Sequence, residues 1–218
     1  MQKVIYLTVL SFLISSLSFS QSGKVFEQLS HPSKILKGDR NFAIYLPPDY
    51  ETSQRRYPVL YLLHGATDNQ TGWIQFGEVL RITDNAIKEG SATPMIIVMP
   101  DADTKRMGYF NDIRGDWNYE DYFFNELMPY VESTYRIKSE KRYRAIAGLS
   151  MGGGGSFIYA LHHPELFSSA CPLSAYIGPK SVEEVKGFAK KYNNFEVNDV
   201  DAEKYFPSHN ALTLIETM

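Results

Sequence analysis

Two stretches of this chain, Val59-Leu60-Tyr61-Leu62-Leu63 and Met95-Ile96-Ile97-Val98-Met99, lack charged positions altogether and are apolar or aromatic throughout. A strand with one wet face alternates, so a continuous run implies cover on both faces, as parallel strands between helix layers have. Between the two runs, residues 79–89 carry apolar side chains at helical spacing and stop at Gly90. Residues 41–46 alternate and end at Pro47-Pro48, which predicts a half-buried strand. Upstream, residues 25–29 and the pair Ile35-Leu36 read as edge strands.

Farther along, residues 118–135 predict a long helix. Asn118 is placed to cap it, Glu120 and Asp121 fall in its electropositive first turn, and Tyr122, Leu127, Tyr130 and Val131 share the face toward the sheet. Residues 143–147 predict a short strand and residues 153–162 a helix rich in glycine at its start. Ser168-Ser169-Ala170-Cys171-Pro172-Leu173 reads as a buried strand, residues 181–192 as a charged amphipathic helix, and Phe195-Glu196-Val197 as a marginal strand. Strands and helices in this alternation predict an α/β fold with a doubly wound, mostly parallel sheet, and no internal repeat or low-complexity linker interrupts it.

Composition narrows the picture. With 218 residues, 44% hydrophobic and 14% aromatic, the chain can bury one substantial core. A net charge of −3 and the lack of a basic run give no electrostatic reason to expect nucleic acid or an anionic membrane surface, so the expected partner is a small or neutral molecule. Residues 1–20, with Lys3 before an apolar stretch and small Ser18 and Ser20 at its end, predict a secretory signal, leaving residues 21–218 as the domain and a secreted or periplasmic location. That stretch is short and broken by serines, which predicts no stable membrane span after cleavage. The single cysteine, Cys171, forms no internal disulfide and is expected to be a packed, inert thiol.

The chemistry concentrates at Gly148-Leu149-Ser150-Met151-Gly152, between the strand and the glycine-rich helix. A Gly-x-Ser-x-Gly pentapeptide at a strand-to-helix turn is the nucleophile-elbow pattern, whose glycines leave room where a Cβ would strike backbone. With 15 Gly and 19 Ser in the chain, about 0.09 such matches arise by chance, so the strand before and the helix after carry the reading.

These residues, together with Leu62-Leu63-His64-Gly65-Ala66, Met99-Pro100-Asp101, Tyr119-Glu120-Asp121-Tyr122, Glu126-Leu127 and Pro129-Tyr130, are similar to the putative esterase family of α/β-hydrolases. That family includes esterase D-like enzymes, feruloyl and acetyl-xylan esterases and mycolyltransferases. The resemblance spans roughly residues 42–178 and implies that Ser150 attacks an ester carbonyl, with the backbone N–H groups of Ala66 and Met151 as the oxyanion hole. It implies that His64 shapes the oxyanion loop, since the family order is serine, acid, histidine. Trp73 and the segment Tyr109-Phe110-Asn111 match positions lining the cleft in relatives, with core or lid packing as the alternative. No cofactor is implied, and Asp101-Ala102-Asp103 reads as a solvated loop without a metal.

A triad acid and histidine are not identified. Forty-three residues follow position 175, whereas two further strand-helix units need about 60 or more, so the sheet is expected to lack its last two strands. His162 and His163 fall at the end of the elbow helix, and the remaining pairing of Asp199 or Asp201 with His209 is disfavoured, because residues 195–197 make only a marginal strand and Ser208-His209-Asn210-Ala211-Leu212 resembles the helical region that relatives place before their seventh strand. The strand near residue 170 is then expected at an exposed sheet edge, with marginal stability or self-association. Three readings stay open: an ester hydrolase, an acyltransferase to a sugar alcohol, and a non-catalytic binding remnant. The sequence sets neither the acyl and alcohol parts of a substrate nor an oligomeric state.

Overall fold

The computed structural model describes residues 21–102 and 108–217. The expected leader at residues 1–20 and Asp103 of the acidic loop lie outside them. Among the described residues six strands form one sheet: β1 (Lys24–Ser33), β2 (Gly38–Leu46), β3 (Val59–Leu63), β4 (Ile96–Pro100), β5 (Arg144–Leu149) and β6 (Ser169–Leu173). Their spatial order is β1-β2-β4-β3-β5-β6, with β1/β2 and β2/β4 antiparallel and the three other pairings parallel. The mostly parallel α/β sheet expected from the pattern is therefore present.

The helices are α1 (Gly72–Gln75), α2 (Val79–Lys88), α3 (Tyr119–Tyr122), α4 (Met128–Thr134), α5 (Met151–His162), α6 (Val182–Asn193), α7 (Asp199–His209) and α8 (Ala211–Thr217), with a π-turn over Phe123–Leu127 joining α3 to α4. The long helix read at 118–135 is thus one rod with a wider turn in its middle. Asn118 precedes it but its side chain makes no capping bond. The cap comes from another loop, where Asn111 Oδ1 accepts from the Asp121 N–H at 3.2 Å.

Helices on both faces explain why the central strands carry no wet positions. Phe42, Ile44, Tyr61, Leu63 and Val98 pack with Tyr122, Phe123, Leu127 and Tyr159 on one side. Ala43, Tyr45, Ile97 and Met99 pack with Val79 on the other. Residues 42–46 are buried on both faces, so the half-buried reading of that strand is corrected: β2 lies inside the sheet, between β1 and β4. Ile35-Leu36 is not a strand either. It lies in the turn joining β1 to β2, where Lys37 adopts φ 54° and the Glu126 carboxylate accepts from the N–H groups of Lys34 and Ile35. Pro32, which donates no ladder bond, is accommodated because β1 is an edge strand.

At the carboxyl-terminal side, Ser181 and Asn198 accept the capping N–H groups of Glu184 and Asp201. Helices α6 and α7 pack through Val185, Ala189, Val197 and Ala202. Phe195-Glu196-Val197 forms no strand and connects these two helices. β6 pairs on one side with β5 and is the outer strand of the sheet. Cys171 is exposed there, which overturns the expectation of a packed thiol: among the described residues no further strand or helix covers it on the outer side of β6.

Candidate active site

Ser150 stands between β5 and α5 with φ 55° and ψ −107°, a backbone conformation that side-chain-bearing residues avoid at a cost of about 1–3 kcal/mol. Its surroundings hold it there. Its N–H donates to Leu173 O at 2.9 Å, and its carbonyl accepts from Gly154 N at 2.9 Å and Tyr176 N at 3.0 Å. A Cβ on Gly148 would sit 2.3 Å from Gly152 O, and one on Gly152 would sit 2.4 Å from Leu63 O, so both positions of the pentapeptide require glycine. The close approach of α5 to β3 leaves the Ser150 side chain exposed, and no described residue hydrogen-bonds its hydroxyl.

The loop after β3 runs beside it, since a Cβ on Gly65 would lie 3.9 Å from Ser150 Cβ. Ala66 follows, exposed. Met151 is the first residue of α5, so its N–H has no acceptor within the helix. The serine and both segments expected to donate to an oxyanion are therefore neighbours, and the positive end of α5 faces the same place.

His64 is buried and engaged on every side. Its Nε2 accepts from the Ala102 N–H at 3.1 Å, which puts the ring proton on Nδ1, 2.8 Å from Gly65 O. Its backbone N–H donates to the Tyr109 hydroxyl at 2.8 Å. The Tyr159 hydroxyl of α5 in turn donates to the Tyr109 carbonyl. Tyr109 is fully buried, and burial raises its phenol pKa well above the usual value. The expectation that Tyr109 touches substrate thus gives way to its packing alternative: its hydroxyl braces the loop after β3. Trp73, half-buried, donates from Nε1 to Leu63 O at 3.0 Å and fixes the end of β3.

None of the five histidines hydrogen-bonds Ser150. His162 spans Glu120 Oε1 at 2.6 Å and Ser208 O at 2.7 Å. Burial lowers its pKa, but the Glu120 hydrogen bond and charge and the Ser208 carbonyl outweigh it, so the net direction is upward. His163 lies 3.4 Å from Glu165 and against the Phe124 ring. His31 sits against Tyr130 on β1. His209 stacks on Tyr205 at 3.6 Å with its Nδ1 3.0 Å from Tyr205 O, and burial pushes its pKa down to about 4. Asp199 pairs with Lys186 and Asp201 bonds Asn198, both at the opposite end of α7, about 12–15 Å of helix from His209. The pairing of either carboxylate with His209 is therefore not formed. The polar network through Tyr109 and Tyr159 was missed in sequence, because an aromatic residue between loops carries no signal of where its hydroxyl points.

The chain spans 20% of the length of an endo-1,4-beta-xylanase/feruloyl esterase of Xylanibacter ruminicola, at 36% identity over 154 residues and 66% of this chain. It spans 32% of an esterase of Mycobacterium tuberculosis, at 35% identity over 69% of this chain. Among solved structures, a ferulic acid esterase superposes with a TM-score of 0.69 at 36% identity, covering 75% of this chain and 62% of the other. An S-formylglutathione hydrolase from Agrobacterium tumefaciens, at 24% identity, shares the fold with a TM-score of 0.69 over 89% of this chain and 70% of its own. Residues 33–210 match the family described as Putative esterase, and with the elbow at Ser150 in place the chain belongs to that family of α/β-hydrolase-fold proteins.

Proposed function

We propose that this chain carries the nucleophile and oxyanion hole of an exported carboxylic ester hydrolase. Ser150 Oγ attacks the ester carbonyl carbon, the carbonyl π electrons move onto oxygen, and the alkoxide is held by the N–H groups of Met151 and Ala66. The serine proton passes to solvent water, and collapse breaks the ester C–O bond so that the departing alkoxide takes a proton back from solvent and leaves as the alcohol; water then cleaves the acyl-enzyme on Ser150 to release the acid. The backbone conformation of Ser150, φ 55° on a turn clamped by three main-chain hydrogen bonds, carries this reading. The names of the similar proteins favour acyl or feruloyl esters of a polysaccharide as substrate.

Turnover also needs a base for the serine proton. In the arrangement described, the histidines are committed elsewhere, so the expected rate is that of oxyanion stabilisation and binding alone, about 10³–10⁴-fold over water. A fluorophosphonate probe with peptide mapping tests both parts. Slow modification confined to Ser150, absent in Ser150→Ala, is the expected result. No modification on long incubation would overturn the hydrolase reading, while rapid modification with full turnover of 4-nitrophenyl acetate would overturn only the missing base.

A further inference from the structure

A second concavity lies at the opposite end of the sheet. It encloses about 580 Å³ among the segments leading into β3, β4 and β5. Its floor is apolar, built by Val59, Leu60, Pro94, Met95 and Ala145. Arg55, Arg56, Lys138, Arg142 and Arg144 surround that floor, and no carboxylate is among the lining residues. Five cations meet at one cleft of a chain whose net charge is −3, so the cluster does not follow from composition.

Two of these cations are compensated. Arg144 holds Glu132 through two hydrogen bonds of 2.6 and 2.8 Å, and Arg55 pairs with Asp49 at 2.7 Å. The other three have no carboxylate partner among the described residues. Arg56 donates to Ile137 O at 3.0 Å, while Lys138 and Arg142 lie over the Tyr143 ring at 4.4 and 4.9 Å. Concave walls of low polarity concentrate the field of such a group. A cationic rim over a hydrocarbon floor is complementary to an anion that carries an apolar body.

We propose that this cleft is a binding site for an amphiphilic anion, a carboxylate or phosphate head at Arg56, Lys138 and Arg142 with its hydrocarbon part on Val59 and Met95. The six residues of β5 separate it from Ser150 by about 20 Å, so the site stands independently of the esterase reading.

Calorimetric titration of the full chain with octanoate, octyl phosphate, inorganic phosphate and octyl glucoside, each below its micelle-forming concentration, tests this. Saturable binding of octanoate or octyl phosphate is expected, about tenfold tighter than of inorganic phosphate or the neutral glucoside, and weakened about tenfold in Arg56→Ala/Arg142→Ala. Which of the two anions binds more tightly identifies the head group. Equal binding of the glucoside, no binding of either anion, or undiminished binding by the double variant would overturn the proposal. Should that variant lose its circular dichroism signal, Lys138→Gln makes the same test at the half-buried cation.

Discussion

Ser150 and Tyr109 show two kinds of residue information. The serine was readable because its flanking glycines form a pattern confined to five residues: a Cβ at Gly148 would meet Gly152 O at 2.3 Å within the turn itself, whereas the 2.4 Å contact of a Cβ at Gly152 is with Leu63 O of β3, which only the fold brings near. Tyr109 carried no such mark, since its task depends on His64, 45 residues away, donating its N–H to the phenol oxygen at 2.8 Å. Tyr109→Phe leaves that buried N–H without an acceptor, a loss of about 1–3 kcal/mol. Urea unfolding should show the loss, and fluorophosphonate labelling of Ser150 should slow as the loop after β3 loosens. A variant as stable as the parent and equally reactive would remove Tyr109 from any bracing role.

Helix α5 joins the elbow to the rest of the molecule at both ends. Its first residues pack on β3, and its last turn places His162 between Glu120 of α3 and Ser208 of α7. The upward direction of the His162 pKa means that its imidazolium stabilises the fold fully below the unfolded value of 6.5, and that this stabilisation is lost as pH rises through the higher folded value. His209, pushed down to about 4, acts in the other sense: its contribution is present above 6.5 and is lost as pH falls through about 4. The charged or titratable neighbours of this contact are Glu120 and Asp121 from α3, His163 beside His162, and His209 from α7. In urea unfolding across pH, the stability of the parent over His162→Gln should be greatest on the acid side of 6.5 and shrink as pH rises. A difference that grows with pH would show that His162 is neutral in the fold. The helical spacing of residues 153–162 was legible, whereas the joining of α5 to α7 was not, because the two histidines at its end look like any polar helix terminus.

The molecule as a whole is asymmetric about its sheet. Its middle strands are covered on both faces, while β6 presents Leu173 at 43% exposure, beside Leu149 also at 43%, and an exposed Cys171. A thiol on an outermost strand should react completely with an aromatic disulfide reagent in the native state, at a rate near that of a free cysteine. Protection until denaturant is added would mean that self-association or another surface covers β6 in solution. Ionic asymmetry accompanies this, with the basic cleft at the amino ends of the strands and Ser150 beyond the carboxyl end of β5.

Apolar runs, helical spacing and the glycine pattern were enough to establish the α/β class, the central strands, the helices at residues 79–89 and 181–192, and the place of the serine turn, because each leaves a signature within a few positions of the chain. Folding in three dimensions settled the rest. Whether a strand is interior or outermost depends on which strands pair with it, so residues 42–46 proved buried and Cys171 exposed. The partners of His64, His162 and the arginines around the second cleft come from segments distant in the chain, and hydrogen bonds and charge clusters of that kind exist only once the sheet has brought those segments together.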